Sequence, residues 1–340
     1  MPMRWSEIDP ADLAECRAML AGGSRSFRVA SLLLPRRVAV PATALYAFCR
    51  VADDLIDREG GGVAAVRALE DRLDAICAGR PGPWAADRAF AVVVARHAIP
   101  QALPAALIEG LAWDAGGRCY ATLAELEDYG ARVAGSVGAM MALIMGARAP
   151  EAVARATDLG VAMQLTNIAR DVGEDARAGR VYLPMDWLRE SGLEPAGLTR
   201  FSPALGGVVA RLLRAADGHY VRAEAGIALL PADCRPGIAA ARLIYAEIGR
   251  ALERQGCDSV TRRAVVPGRR KARLLLAAPI LGYRATPAEA PVLAANRFLV
   301  DAVGAGPQVA PGLPWWALGQ RIVRTAELLA SLDARERRRA

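Results

Sequence analysis

Two apolar stretches of this chain carry acids at helical spacing, and that pairing limits the possible folds more than any other feature. In ALYAFCRVADDLID, the positions i, i+4, i+7 and i+11 from Tyr46 are Tyr46, Arg50, Asp53 and Asp57, which share one face of a helix. In QLTNIARDVGED, the positions i, i+3, i+7 and i+11 from Gln164 are Gln164, Asn167, Asp171 and Asp175, again a single stripe. A solvated face would be surrounded by long charged residues. The first stripe is instead flanked by Ala44, Leu45, Ala47, Phe48, Val51 and Ala52. An ordinary surface with a helix ion pair, such as Arg50 to Asp54, is the alternative. The apolar surroundings favour two polar stripes that face one cavity.

The rest of the chain reads the same way. Strand-like alternation is scarce and helical spacing recurs from end to end, so the chain is expected to be all-α. Thr122 followed by Glu125 makes a capping box ahead of LAELEDYGARVAGSVGAMMALIMG, whose Gly and Ala residues permit close helix contact. Ser202-Pro203 opens another helical run. Breaks are expected at 59–62, 80–83, 149–150, 176–184 and 231–236. With 340 residues and no low-complexity linker, one large domain is expected.

Composition excludes several classes. At 54 % hydrophobic and 23 % charged the chain can bury a large core, which its 5 % aromatic content leaves mainly to Ala, Leu and Val. The apolar window from Val133 to Ala147 falls short of the roughly 20 residues a membrane-spanning helix needs, and MPMRWSEIDPADLAEC lacks the pattern of a secretory signal. An intracellular location is expected, with peripheral contact to the cytoplasmic face of a membrane as an option. Six cysteines without a C-x-x-C pair read as small apolar fillers rather than a zinc site or disulfide framework. Two histidines, His97 and His219, do not make an all-histidine metal site. His97, beside an apolar run, reads as structural.

The net charge of +7 comes almost wholly from arginine and favours anionic partners. No nucleic-acid motif or aromatic–basic interleaving is present, so nucleic acid is not expected. The block TRRAVVPGRRKAR (261–273), the pair Trp315-Trp316 and the terminal RERRRA suit either a solvated basic face or an acidic lipid surface.

Two carboxylates about 6 Å apart along a helix do not stay ionised together in an apolar cavity without a cation. Carboxylate and amide oxygens suit Mg²⁺, which takes few protein ligands and completes its shell with water and phosphate oxygens; Mn²⁺ is the alternative. With Arg50 and Arg170 beside the acids, the two stripes read as a clamp for metal and diphosphate together.

DDLID and NIARDVGED, together with YAFCR, GSRSF, RVAGSVGAMM and ARAGRVYLP, resemble the two aspartate-rich motifs and flanking segments of the squalene and phytoene synthase family, most of all its phytoene-forming branch. The resemblance runs from about Ser24 to Lys271, in order. It implies the all-α isoprenoid synthase fold with a central cavity, residues 1–285 forming the catalytic domain and residues 286–340 a helical extension. It also implies roles. Asp53 and Asp57 would hold Mg²⁺ from one wall, and Asn167, Asp171 and Asp175 from the other. Tyr46, Arg50, Gln164, Arg170 and the segment Ser24-Arg25-Ser26 would meet the diphosphate or the first part of the prenyl chain. Tyr245 would face the site, and Arg177 and Arg180 would lie on a lid after the second motif. Asp114, Arg118, Tyr120 and Tyr182 also fall in family-like segments. Gly23 stands where related dehydrosqualene synthases often have histidine.

The implied reaction joins two geranylgeranyl diphosphates head to head through prephytoene diphosphate, giving phytoene and two pyrophosphates, with no NADPH expected. Carotenoid-forming enzymes downstream are implied partners. Within the family, synthases acting on farnesyl diphosphate are the nearest alternative. Chain-elongating prenyltransferases and terpene cyclases share D-D-x-x-D, but Arg170-Asp171 replaces the paired aspartates that elongating enzymes usually carry. A non-catalytic helical membrane adaptor is the alternative of a different class.

Overall fold

The computed structural model describes residues 7–23, 29–57, 62–286 and 290–306. Local capping chemistry starts several of its helices. α1 (Pro10–Gly22) begins with proline behind Asp9, whose side chain accepts from the Ala11 N–H at 2.8 Å. α2 (Arg36–Asp57), α3 (Gly62–Cys77), α4 (Ala85–His97) and α5 (Ala102–Ala115) follow. Thr122 caps α6 (Leu123–Gly130), accepting from the Glu125 N–H at 3.3 Å. Glu125 reaches back to the Ala121 N–H at 2.9 Å, one residue before the cap, so the capping box forms in a shifted version.

The chain next makes one π turn, Ala131–Gly135, and continues as α7 (Ser136–Met145). Such turns recur at functional sites because they re-aim the side chains around them. α8 (Pro150–Arg177), α9 (Met185–Glu190), α10 (Pro203–Ile227), α11 (Arg235–Arg254), α12 (Gly268–Arg284) and α13 (Arg297–Ala305) complete the order. Ser202 caps α10 through the Leu205 N–H at 3.2 Å. No described residue lies in a strand, and no described helix is long and apolar enough to cross a membrane.

α8 is the axis, packing against α10, α7, the π turn and α11. Glycines let it come close. A Cβ on Gly160 would strike the Ala134 backbone, and one on Gly138 would strike the Ala156 carbonyl, so the α7–α8 contact is backbone to backbone. That contact fits the Gly- and Ala-rich wording of RVAGSVGAMM. α13 lies against α8, α5 and α7. It is pinned by Asn296, whose amide donates to the fully buried Asp158 at 2.7 Å. Arg155 and Arg222 also face Asp158, at 3.2 and 3.1 Å. Arg222 and Asn296 donate to this carboxylate and Arg155 adds an ion pair, partners of the kind that a charge buried this deeply requires.

The cysteines depart from expectation at one place. Cys16, Cys234 and Cys257 are buried fillers, but Cys119 is exposed. His97 is partly buried in an arginine-rich neighbourhood; burial and then Arg96 push its imidazole down to about 4, which keeps it neutral and fits a structural role. Trp315, Trp316 and the terminal arginines lie outside the described residues.

Candidate active site

The space between α8, the π turn with α7, α2 and α11 is a cavity of about 280 Å³. Its walls are built from small and apolar side chains because the helices that form it are Ala-, Gly- and Met-rich. Val133, Ala134, Val137, Gly138, Met141 and Met145 line one side, while Ala139, Met140 and Ala142 of the same run point into the core. The segment 133–145 therefore both lines the cavity and packs the core.

Tyr46, Gln164, Asn167 and Tyr245 are among the polar residues that line the cavity. Gly23 abuts Tyr46, and a Cβ there would collide with the Tyr46 hydroxyl. A larger residue at that position would displace this tyrosine. Ser24, Arg25 and Ser26 lie outside the described residues.

Beyond Asn167 the second stripe climbs one and two further turns of α8, to Asp171 and Asp175. Asp171 is 15 % exposed at its side chain and is held by two arginines. Arg170 Nε donates to its Oδ1 at 2.8 Å, Arg263 Nε lies 2.9 Å from the same oxygen, and Arg263 Nη2 donates to Oδ2 at 2.9 Å. Arg263 also approaches Glu174 at 3.4 Å. Sequence reading assigned Arg263 only to a basic surface block. It reaches the site from a loop after α11, and no local pattern signals that.

Asp175 is half-buried. Burial, with the Asp171 carboxylate beside it, pushes its carboxyl up to about 7, while Arg180 pulls the other way. Asp114, on α5, is its neighbour across the site. Burial pushes the Asp114 carboxyl up to about 6 against hydrogen bonds from Tyr129 at 2.7 Å and Tyr182 at 2.9 Å, and Asp53 adds to the rise. Asp114 thus links the fields of Asp53 and Asp175, although the three come from three helices. Tyr120, Tyr129 and Tyr182 pack ring on ring behind Asp114.

The first stripe differs from its expected setting along its length. α2 faces the cavity through Ala42, Leu45, Tyr46 and Cys49. One turn later Arg50 and Asp53 are each 47 % exposed, with 3.5 Å between them, and Arg50 also pairs with Asp54 at 2.7 Å. The acids of α2 therefore stand at the rim of the cavity rather than inside it, and the helix ion pair weighed as the bland alternative is present as well. Asp57 is the last residue of α2; its side chain lies outside the described set. Arg177 is exposed at the end of α8 and does not line the cavity, whereas Arg180 is partly buried beside Asp175 and Asp114.

No three acid, histidine or cysteine side chains converge as a ready metal cage among the described residues. The donor set is nonetheless of the type that suits a hard cation, since Mg²⁺ is commonly held by one or two carboxylates with substrate phosphates and water supplying the rest.

Comparison with known proteins agrees with this geometry. The squalene/phytoene synthase family model matches residues 20–270. The phytoene synthase of Cereibacter sphaeroides is 55 % identical over 277 residues, covering 78 % of this chain and 78 % of that protein. The 15-cis-phytoene synthase of a Paracoccus species is 44 % identical over 253 residues, covering 71 % and 82 %. Among solved structures, a dehydrosqualene synthase in complex with ligand superposes with a TM-score of 0.73 at 33 % identity, covering 79 % of this chain and 95 % of that one. With its family model, its close relatives and its isoprenoid synthase fold in agreement, this chain belongs to the squalene/phytoene synthase family.

Proposed function

We propose that this chain joins two geranylgeranyl diphosphates head to head, through prephytoene diphosphate, to give phytoene for carotenoid formation. One observation carries the reading: a largely apolar cavity is also lined by Tyr46, Gln164, Asn167 and Tyr245, and carboxylates and arginines from separate segments stand further along the same two helices. That arrangement takes a molecule whose tail is hydrocarbon and whose head is a polyanion. The 55 % identity to bacterial phytoene synthases favours the longer prenyl chain over farnesyl diphosphate.

Asp53 and Asp57 from α2 and Asn167, Asp171 and Asp175 from α8 would hold Mg²⁺, or Mn²⁺. Bound there, the metal would supply positive charge against the negative charge that develops on the departing diphosphate. The chain's own residues do the rest. Arg170 and Arg263, now spent on Asp171, and Arg50, now on Asp53 and Asp54, are placed to turn toward an incoming diphosphate. Arg180, beside Asp175 and Asp114, adds charge from the segment after α8, and Arg177 is placed to join it when that segment closes. Ser24, Arg25 and Ser26 would close the same end. Tyr46 and Tyr245 would orient the first prenyl unit.

Allylic ionisation leaves a carbocation that water would capture. The Ala, Val and Met lining of α7 and α8 excludes it. The second substrate's double bond then adds to the cation, and proton loss closes the cyclopropane; ionisation of this second diphosphate, rearrangement and a further proton loss give phytoene. Residues 1–285 carry this chemistry, with the first part of the 286–340 extension packed on the same body.

Incubation of the protein with Mg²⁺ and either geranylgeranyl or farnesyl diphosphate, without NADPH, tests the reading by identifying the extracted hydrocarbon. Phytoene from the longer substrate is expected. A product from farnesyl diphosphate alone would assign the chain to another branch of the family, and no pyrophosphate from either would remove the catalytic reading.

A further inference from the structure

Large apolar side chains are exposed in a regular array on α12. Leu276 is 78 % exposed, Ile280 59 % and Tyr283 59 %, and positions i, i+4 and i+7 place them on one face. Arg273 and Arg269 continue that face toward the helix start, both exposed, and Arg284 follows at its end. The helix GRRKARLLLAAPILGYR contains no acid. Its stripe is therefore apolar in the middle and cationic at both ends.

The opposite face is firmly anchored. Leu274, Ala278 and Gly282 are buried, α12 packs along α11, and Gly282 lies against the backbone of Arg235 and Pro236. Arg270 is held by Glu247 at 2.9 Å. The outward stripe is a fixed surface.

Its neighbour in space is the segment 29–34. Ala30 and Ala278 belong to one apolar cluster with Ala239 and Ala240 of α11, with Leu33 packed on it. Leu32, in the same segment, is 74 % exposed. Ala30, Ser31 and Leu34 also line the cavity, where Leu34 packs directly onto Gly237. One layer of chain separates the hydrocarbon-sized cavity from the exposed apolar surface.

We infer that the outer face of α12, with Leu32 beside it, is the surface by which the protein rests on an acidic lipid membrane. A rigid amphipathic helix with an apolar stripe and flanking arginines lies in the headgroup region of a bilayer, where burial of the apolar side chains and attraction to anionic headgroups add. A second copy of the chain suits the face poorly, because a two-fold contact would set its arginines near one another. Lipid also suits what lies behind the face: on the proposed hydrocarbon reading, a water-insoluble product forms one wall away from the bilayer.

The test is flotation of the full chain with vesicles of phosphatidylcholine alone or with about one-third phosphatidylglycerol. The protein floats with the acidic vesicles and is released by high salt. The double variants Leu276→Glu/Ile280→Glu and Arg269→Glu/Arg273→Glu each weaken flotation by on the order of tenfold or more, with thermal melts and pyrophosphate release in detergent unchanged. Since flotation needs no turnover, its result is independent of the catalytic reading. Should a variant fold poorly, Leu276→Cys in a Cys119→Ser background carries an environment-sensitive dye, whose emission shifts to the blue on adding acidic vesicles. The same dye on Val221→Cys, exposed on α10, does not shift. Wild-type protein left in the soluble fraction, variants that float like wild type, or a lipid-free dimer that the glutamate variants dissociate would each overturn the inference.

Discussion

Replacing Asp175 with asparagine should make the protein more stable and less active. The Asp175 carboxyl is raised from 3.8 to about 7, first by burial and then by Asp171, so the folded chain holds its proton more tightly than the unfolded chain does. A carboxyl raised in this way contributes stability that is full below the unfolded value near 4 and is lost as the pH climbs through about 7. At 1.36 kcal/mol per unit, ionised Asp175 weighs on the fold by up to about 4 kcal/mol at pH 8 and by well under half of that at pH 5. Asparagine keeps the shape and removes the charge. Relaxation around the site lowers the expected gain to on the order of 2 to 4 kcal/mol at pH 8, read as a rise of several degrees in Tm. The assay is thermal unfolding of both proteins in EDTA at pH 5 and pH 8, paired with turnover in Mg²⁺. Lower stability of the variant at pH 8, or an equal gain at both pH values, would refute the reasoning.

Three further outcomes follow from the same geometry. Asp53→Ala and Asp171→Ala should each lower turnover by on the order of 10² to 10³, measured as pyrophosphate release; near-wild-type rates would remove them from the site. Gly160→Ala drives a methyl group into the Ala134 backbone and should cost about 1 to 3 kcal/mol in chemical denaturation, and an unchanged midpoint would deny the close packing of the π turn on α8. Asp158→Ala leaves Arg155 and Arg222 without their shared carboxylate and should cost about 3 to 5 kcal/mol; a loss below about 1 kcal/mol would show that the pair is solvated.

The helices and the second stripe were legible because helical phase is local: Gln164, Asn167, Asp171 and Asp175 share a face whatever surrounds them, and the first two line the cavity. Phase fixes a direction around the axis and leaves open where along the axis solvent begins. That is why Tyr46 lines the cavity while Arg50 and Asp53, on the same stripe, stand at its rim. The site groups that sequence reading left unassigned come together over long separations. Arg263 meets Asp171 across 92 residues, and Asp114 gathers Tyr129 and Tyr182 across 15 and 68. The first depends on how the loop after α11 returns to α8, and the others on how α5, α6 and the segment after α8 pack. The exposed stripe of α12 was half visible, as the basic block before LLLAAPILGY, but only packing tells which of its leucines face outward.

The central claim is that the carboxylate end and the apolar cavity together hold one prenyl diphosphate. A crystal structure with Mg²⁺ and a non-hydrolysable thio analogue of geranylgeranyl diphosphate tests it most directly. The account predicts the diphosphate between Asp53 and the pair Asp171 and Asp175, with the tail running past Tyr46 and Asn167 into the cavity enclosed by α2, α7, α8 and α11. A diphosphate bound elsewhere, or a tail outside that cavity, would contradict it.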